Sequence, residues 1–262
     1  MTKATLVILL LICSHIVCAQ EYYVLQVRGK VTFQKTGMLL KMNDVVKQSD
    51  KLVFSTESDA VAVVNAKSGR FIIKPKVSEG SSELMAIVKD ILLPGTSRLS
   101  TRSGNFNNAH DIQVYFKDSV VLLSELKYKV SAAAFPMGAN AFFFIRYRFN
   151  NEDINKKLVN VSDSLIIKRA ELFAVDGKPI ALSAASDLRL FYSKDKAITQ
   201  VTNLSISTPD LTRLKAEIDI LVKNMPPNTS ASKLKEEVAE YLEDCYGKVS
   251  VVDFEKWYKS KQ

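Results

Sequence analysis

Residues 22–75 read YYVLQVRGKVTFQKTGMLLKMNDVVKQSDKLVFSTESDAVAVVNAKSGRFIIKP, and this stretch decides the fold class of the chain. Apolar and polar residues alternate in short runs, which turn-forming residues separate. Alternation with a period of two is typical of strands with one buried face. Residues 60–64, AVAVV, are apolar throughout and indicate a central strand buried on both faces. The stretch therefore predicts a small β-rich domain.

The order of turn and core residues in this stretch resembles the FecR domain. The resemblance consists of a G-x-V start, a Leu followed by an Asp, a D-x-L motif, a run of small and β-branched residues, and a glycine before the last strand. These elements are Gly29-Lys30-Val31, Leu40 with Asp44, Asp50-Lys51-Leu52, residues 59–64 and Gly69-Arg70-Phe71. FecR domains are small β-rich periplasmic domains, many of them in regulators that pass an envelope signal to a sigma factor. The resemblance therefore implies a β fold and a periplasmic location.

Two departures from the FecR pattern limit what the resemblance implies. The family places Gly-Asp where this chain has Asn43-Asp44 and Ser49-Asp50. Asn tolerates the left-handed backbone conformation better than Ser does, so we expect at least one turn to differ. The family's sigma regulators also carry a cytoplasmic segment and a membrane span before the domain, and here we expect only a cleavable signal. We therefore expect no sigma-factor regulation by this chain.

Residues 1–19 have the layout of a secretory signal peptide. Lys3 supplies the positive start, residues 4–13 form an apolar run, and Val17-Cys18-Ala19 fits a cleavage site before Gln20. The apolar run is too short to cross a bilayer, so we expect no retained transmembrane anchor. Val17 is not the small residue that lipid attachment to Cys18 requires, which disfavours lipidation. The signal predicts a periplasmic or secreted protein that begins at Gln20.

The cysteine and charge content of the chain bear on its disulfides and on its attraction to anionic surfaces. Cys13 and Cys18 leave with the signal, so the mature chain has Cys245 alone and cannot form an internal disulfide. The net charge of +8 allows two interpretations: attraction to anionic envelope surfaces, or basic residues spread over solvated faces. There is no block of five or six consecutive basic residues to favour the first interpretation.

The remaining sequence predicts a mainly β protein with helices at its C-terminal end. We predict four segments: a signal peptide at 1–19, a FecR-like β domain with a trailing helix and linker at 20–103, an antiparallel β-sandwich-like domain at 104–208, and a helical segment at 209–262. The trailing helix is predicted over 82–92 from apolar residues at helical spacing. Alternation predicts strands over 111–116 and 126–130, and residues 141–149 indicate a central strand.

Turn and cap signals complete the prediction. Asp176-Gly177 is a strong hairpin signal. Thr208-Pro209 and Ser232 each predict the start of a helix, and Gly247 predicts a helix end. Ser250 with Asp253 resembles a capping box before a last short helix.

The sequence gives little support to catalysis or cofactor binding. His110 and Cys245 are the only histidine and cysteine of the mature chain, and zinc, calcium and nucleotide motifs are absent from the sequence. We therefore predict no metal and no cofactor. Paired carboxylates are the enzyme chemistry that sequence leaves open, with Glu171, Asp176 and Asp187 as candidates. Each also fits a hairpin or an exposed face.

The aromatic and basic residues of the chain suggest binding surfaces. Residues 142–149, with Arg146 and Arg148, are superficially similar to a nucleic-acid platform, but a central strand is the favoured interpretation and we expect no nucleic-acid partner. Partner contact is expected at an exposed β edge or at the C-terminal helices around Trp257 and Tyr258. The predicted function is an exported non-catalytic protein that binds an envelope protein or a cell-wall polymer, as an accessory to envelope signalling or assembly. The alternative is an envelope carbohydrate hydrolase.

Overall fold

The computed structural model describes residues 20–75, 84–87, 93–94 and 105–260. The chain divides into two compact units, Met1–Gly95 with Glu217–Thr229 and Thr96–Ala216 with Ser230–Gln262. The predicted signal peptide, with Cys18 and Ala19, and the predicted linker residues 95–104 lie outside the described residues. Across the described ranges, no helix combines the length and the apolar composition needed to cross a bilayer.

The first unit is built from antiparallel strands in two sheets. The strands are β1 (Glu21–Arg28), β2 (Val31–Phe33), β3 (Val45–Lys47), β4 (Lys51–Phe54), β5 (Ala60–Asn65), β6 (Gly69–Ile73), β7 (Leu84–Ile87) and β8 (Leu93–Pro94). One sheet has the order β3-β1-β5-β6-β8 and the other has the order β2-β4-β7. Every residue of β5 is buried, and this strand lies in the middle of its sheet, as its apolar sequence predicts. The β-rich fold predicted for residues 22–75, with a central buried strand at 60–64, is thus confirmed.

The helix predicted over 82–92 is wrong at the residues of this range that the structure describes, 84–87. Leu84–Ile87 forms β7, which pairs antiparallel with β4 in the register Lys51↔Ile87 to Phe54↔Leu84. A short apolar run fits a helix and a strand equally well by its period, and the ladder offered by β4 decides between them.

The turns at Asn43-Asp44 and Ser49-Asp50 differ in backbone conformation. Asn43 has φ 71°, and its N–H donates to the carbonyl of Val24 at 2.8 Å. Ser49 is not among the described residues with positive φ. The backbone at this second turn therefore differs from a left-handed Gly-Asp turn, as its serine predicts.

A buried carboxylate organises the loop between β4 and β5. Asp59 is 5% exposed and accepts hydrogen bonds from the Thr56 hydroxyl at 2.6 Å and from the N–H groups of Ser55 at 2.9 Å and Thr56 at 3.0 Å. Gly29, at φ 80°, packs so closely that an added Cβ would lie 2.0 Å from Asp59 Oδ1. Two residues of the quoted motifs therefore contact each other across the unit.

The contacts of Asp59 make the stability of the first unit depend on pH. The hydrogen bond from the Thr56 side chain, helped by those from the backbone, lowers the pKa of Asp59 below its ordinary value. A group whose pKa is lowered by folding stabilises the fold above its unfolded pKa of about 4, and this stabilisation is lost as the pH falls through the folded pKa. We predict that Asp59→Asn costs about 1–3 kcal/mol at pH 7 and progressively less below about pH 4.

Urea denaturation followed by circular dichroism at a series of pH values tests this prediction. Glu57→Gln, an exposed change in the same loop, is the control. A difference in unfolding free energy between wild type and Asp59→Asn that stays constant from pH 7 to pH 3 would contradict it.

The second unit contains further strands and all the described helices except the end of one. The strands are β9 (Asn105–Phe106), β10 (Val120–Val121), β11 (Glu125–Val130), β12 (Ala141–Phe149), β13 (Glu152–Lys157), β14 (Val159–Val161), β15 (Ser164–Lys168), β16 (Ala174–Val175), β17 (Lys178–Pro179), β18 (Ser186–Lys194), β19 (Ala197–Asn203), β20 (Ile206–Ser207) and β21 (Lys248–Val249). The helices are α1 (Ala109–Phe116), α2 (Arg169–Leu172), α3 (Leu211–Lys223), α4 (Ala231–Tyr246) and α5 (Val251–Lys259). Helix α3 begins in the second unit and its end belongs to the first.

Two four-stranded sheets share the main core of the second unit. Their orders are β14-β15-β11-β9 and β13-β12-β18-β19. Side chains from both sheets enter one cluster, among them Tyr128, Ile167, Ile145 and Leu190. The mainly β fold class, with several antiparallel sheets and C-terminal helices, is confirmed. Some pairs are parallel, however: β9 pairs with β11, and β10 pairs with both β20 and β21.

The strand predicted over 111–116 is wrong, because Ala109–Phe116 forms helix α1. Asn108 caps this helix, since its side chain accepts a hydrogen bond from the N–H of Asp111 at 3.0 Å. Ile112 and Phe116 are buried, and their spacing of four residues suits a helix as well as an alternating strand. The cap decides the outcome in favour of the helix.

The predicted C-terminal helices are present. The first two have shifted starts, and the last is capped by Ser250 as predicted. Asp210, rather than Thr208, caps α3 by accepting from the N–H groups of Thr212 at 2.8 Å and Arg213 at 3.0 Å. Ser230, rather than Ser232, caps α4. Gly247 follows the end of α4 as predicted, and the next residues form strand β21 beside β10.

Candidate functional site

A pocket of about 580 Å³ in the second unit is the strongest candidate site among the described residues. It lies between the short helix α2, the segment after the β16–β17 hairpin, and the chain from β20 to the start of α3. Its described lining combines apolar and polar side chains: Arg169, Phe173, Ile180, Ala181, Leu182, Ser183, Ile206, Ser207, Thr208 and Asp210. Such a mixture of apolar walls and few polar groups is typical of ligand pockets.

Arg169 supplies the positive charge of the pocket. Its backbone N–H donates to the carbonyl of Ser124 at 2.9 Å, and its Nη2 donates to the carbonyl of Pro209 at 2.9 Å. Its Nη1 is buried and has no hydrogen-bond partner among the described residues. Burial lowers the pKa of Arg169, while Asp210 and Asp253 act in the opposite direction. The guanidinium stays charged at physiological pH and keeps donor capacity for a ligand.

A tight hairpin shapes the apolar wall of the pocket. Asp176 and Gly177 both have positive φ and connect β16 to β17, which confirms the predicted hairpin. The N–H of Ile180 donates to the carbonyl of Phe173 at 2.9 Å, so the residues after the hairpin return to α2. Phe173 is 5% exposed and Leu182 is half-buried. The wall can therefore accept an apolar group of moderate size.

Asp210 is the one carboxylate in the described lining of this pocket. Its Oδ1 is engaged by the two N–H groups at the start of α3. The hydrogen bonds from Arg213 and Thr212 lower its pKa, and Arg169 adds to this effect. An ionised Asp210 gives the pocket a negative side, which disfavours ligands with more than one negative charge.

A second groove of about 540 Å³ contains the predicted candidate His110. His110 is exposed on α1, and Gln113, Lys117 and the β19–β20 connection contribute to the same groove. Gln113 donates to the carbonyl of Val201 at 2.9 Å. Cys245 is half-buried on α4 and is not among the described residues of this groove. The described lining of this groove therefore contains a histidine but no cysteine that could act with it as a Cys-His pair.

The three carboxylates considered for hydrolysis occupy local structural positions. Glu171 is exposed and forms an ion pair with Lys168 at 2.8 Å. Asp176 is a turn residue of the β16–β17 hairpin. Asp187, with φ 57°, forms an ion pair with Arg189 at 2.9 Å. None of the three is among the described lining residues of the two pockets.

The aromatic and basic residues of β12 cover one another. Phe144 stacks on Phe191 with ring centroids 5.1 Å apart, and the two rings are 6% and 7% exposed. The guanidinium of Arg146 lies 5.0 Å from the centroid of Phe191, and its Nε donates to Asn155 at 2.8 Å. Because the arginine occupies the ring face that a base would need, stacking of a nucleotide would require its displacement. The predicted central position of β12, between β13 and β18, is confirmed.

The predicted contact residues near the C-terminus differ in exposure. Trp257 is 5% exposed, so its indole offers little surface to a partner. Tyr258 is half-buried, and its ring lies 5.4 Å from that of Phe254. Gln20, the predicted first residue of the mature chain, accepts hydrogen bonds from Tyr22 at 2.9 Å and Gln48 at 2.6 Å.

Sequence reasoning missed Arg169, Phe173 and Asp210 as site residues. The sequence carries one signal for this site, an arginine directly after a strand-like apolar run. Helix α2 begins at Arg169, directly after β15, and Arg169 lies in the lining of the pocket. Ile206, Ser207 and Thr208 also line the pocket, but they are distant from Arg169 in the sequence, and only the tertiary structure brings them together.

No cluster of metal-ligating side chains occurs in the part of the chain that the structure describes. Comparison of the chain with protein-family models, with curated proteins and with solved structures found no match.

Proposed function

We propose that the chain is an exported, non-catalytic protein that binds an envelope protein or another cell-envelope component through the Arg169 pocket. The observation that carries this proposal is a half-buried guanidinium with an unpartnered buried Nη1 in an otherwise mainly apolar pocket. The signal-like residues 1–19 and the FecR-like pattern of 22–75 support the location. An accessory function in envelope signalling or assembly fits both.

The chemistry of the pocket defines the ligand class. Arginine presents a planar fork of donors that matches the two oxygens of a carboxylate. The wall formed by Phe173, Ile180 and Leu182 favours an apolar body next to the anionic group. The nearby charge of Asp210 favours a single negative charge over two. The ligand is therefore an apolar group that bears one carboxylate.

The hydrolase alternative would need a second carboxylate facing the bound substrate. In the described lining of the pocket, Asp210 is the acidic residue, and its carboxylate caps α3. The geometry therefore supports binding better than it supports acid–base hydrolysis.

Loss of the guanidinium is predicted to abolish ligand capture. Chain 20–262 is immobilised and exposed to an envelope extract, as wild type, as Arg169→Gln and as the control Arg148→Gln. Arg148 is an exposed arginine of β12 outside the described lining of the pocket. We expect the component retained by wild type to fall about tenfold with Arg169→Gln, because a charge-assisted pair is lost, and to be unchanged with the control.

Circular dichroism confirms that each variant is folded before the retained material is compared by mass spectrometry. Equal retention by wild type and Arg169→Gln would contradict the proposed site.

A further inference from the structure

Strand β20 lies at the edge of its sheet, beside the Arg169 pocket. The order of the sheet is β20-β10-β21, and β20 pairs in parallel with β10 through Val120↔Ile206 and Val121↔Ser207. The N–H of Val120 donates to the carbonyl of Ser205, and the N–H of Leu122 donates to the carbonyl of Ser207, both at 2.9 Å. Among the strands of the described residues, none pairs with the other side of β20.

The direction of the backbone groups follows from this register. Backbone groups along a strand alternate between its two edges, and those of Ser205 and Ser207 face β10. The N–H and C=O of Ile206 therefore face the opposite edge. Ile206 and Thr208 also line the pocket, so this edge borders the cavity. A second chain could pair here with backbone groups that β10 does not use.

Arg169 lies where such an added chain would end. Its Nη2 contacts the carbonyl of Pro209, the residue that follows the edge formed by Ile206 and Thr208. Proline lacks an N–H, so pairing along this edge stops there. The guanidinium of Arg169, with a buried Nη1 that has no partner among the described residues, thus lies near the point where the ladder ends.

We propose that the pocket binds the C-terminus of an extended peptide that pairs in parallel with β20 and places its terminal carboxylate on Arg169. This inference rests on the proposed function and specifies its ligand. The complementary charges of guanidinium and carboxylate fix the end of the peptide, and the apolar wall of Phe173, Ile180 and Leu182 accepts the last side chain. Backbone pairing supplies affinity, while the carboxylate supplies the requirement for a free C-terminus.

The experiment measures fluorescence anisotropy of the folded chain 20–262 with N-terminally labelled pentapeptides. The probe is Ser-Val-Thr-Val-Leu as the free acid and as the C-terminal amide, and a matched peptide ends in Asp instead of Leu. We expect the free acid ending in Leu to bind about 10- to 100-fold more tightly than its amide. In Arg169→Gln this preference should fall to less than about threefold, and in the control Arg148→Gln it should persist.

Two further measurements distinguish backbone pairing from simple charge attraction. Methylation of single peptide N–H groups should weaken binding about tenfold at alternate positions and leave the intervening positions unaffected, because only one edge of the peptide faces β20. Asp210→Asn keeps an N-cap residue on α3 but removes a nearby negative charge, so it should tighten binding of the free acid about two- to fivefold.

The possible outcomes separate the two proposals. If Arg169→Gln loses the envelope component but no pentapeptide binds wild type, the proposed function stands and the peptide inference is overturned. Equal binding of acid and amide, or an N-methyl scan without alternation, also overturns the inference. If Arg169→Gln retains the envelope component, the proposed function fails and the inference fails with it.

Discussion

Replacing Asp253 with alanine is expected to lower the free energy of unfolding of the second unit by about 3–5 kcal/mol. Asp253 lies in the first turn of α5 and is 1% exposed. Its carboxylate accepts from the N–H groups of Leu123 at 2.8 Å, Ser124 at 3.0 Å and Glu125 at 2.9 Å, and from the Ser124 hydroxyl at 2.6 Å. Alanine removes every one of these acceptors.

The expected loss is large because the N–H groups that donate to Asp253 would stay buried without an acceptor. A buried N–H without an acceptor costs about 1–3 kcal/mol, and three backbone N–H groups lose theirs together. Ser250 still caps α5, since its Oγ contacts the N–H of Asp253, so the helix itself should survive. The loss therefore reports on the attachment of α5 to the segment after β10.

Urea unfolding followed by fluorescence of Trp257 measures this loss, because Trp257 is the chain's single tryptophan and is buried on the same helix. The control is Glu255→Ala, on the same helix as Asp253. It removes a half-exposed ion pair with Lys235 of α4 and should cost less than about 1 kcal/mol. Similar losses for the two variants would show that the buried hydrogen bonds of Asp253 do not stabilise the unit.

Gly247→Ala is expected to destabilise the second unit by a similar amount, about 3–5 kcal/mol. Gly247 has φ 118° and ψ −171°, a backbone conformation that essentially only glycine adopts. An added Cβ would lie 2.4 Å from the carbonyl oxygen of Ser119. That oxygen cannot move freely, because it accepts a hydrogen bond from the N–H of Lys248 at 2.8 Å.

Gly177→Ala is the matched control for this prediction. Gly177 also belongs to the second unit and has φ 74°, but nothing lies within 4 Å of its added Cβ. The loss of unfolding free energy in Gly177→Ala should come from the left-handed backbone conformation alone and amount to about 1–2 kcal/mol. Thermal unfolding of both variants, followed by circular dichroism, separates the steric contact from the backbone conformation. An equal loss for both glycines would exclude the contact with Ser119 as a source of destabilisation.

The strands that sequence predicted correctly have strong local signals. The alternation in β11 and the apolar run in β5 show which faces are buried, and both strands are where the sequence predicts them. Asp176-Gly177 forms its hairpin because the two residues tolerate positive φ. In these cases the local preference and the tertiary structure agree.

The elements that sequence missed are those whose conformation depends on distant partners. β13 is largely polar and exposed, and it is a strand because it pairs with β12. The predicted helix over 82–92 gives way to pairing between β7 and β4. The sequence indicates Asp253 as a capping-box residue. In the structure its carboxylate instead accepts hydrogen bonds from the N–H groups of residues 123–125, which are far away in the sequence. The candidate site was missed for the same reason, because its walls come from three segments that are separated in the sequence.

The position of β10 between β20 and β21 has a consequence for the order in which the second unit can form. Val120 pairs on one side with Ile206 and on the other with Lys248, so its neighbours are synthesised long after it. Until then the apolar residues Val120 and Val121 have two open edges, which is the condition that favours misassembly. The segment that begins at Lys248 supplies the third strand of this sheet and the carboxylate of Asp253. Folding of this unit is therefore completed only after Lys248 and Asp253 have left the ribosome, and a chain truncated before Lys248 would expose an unfinished sheet.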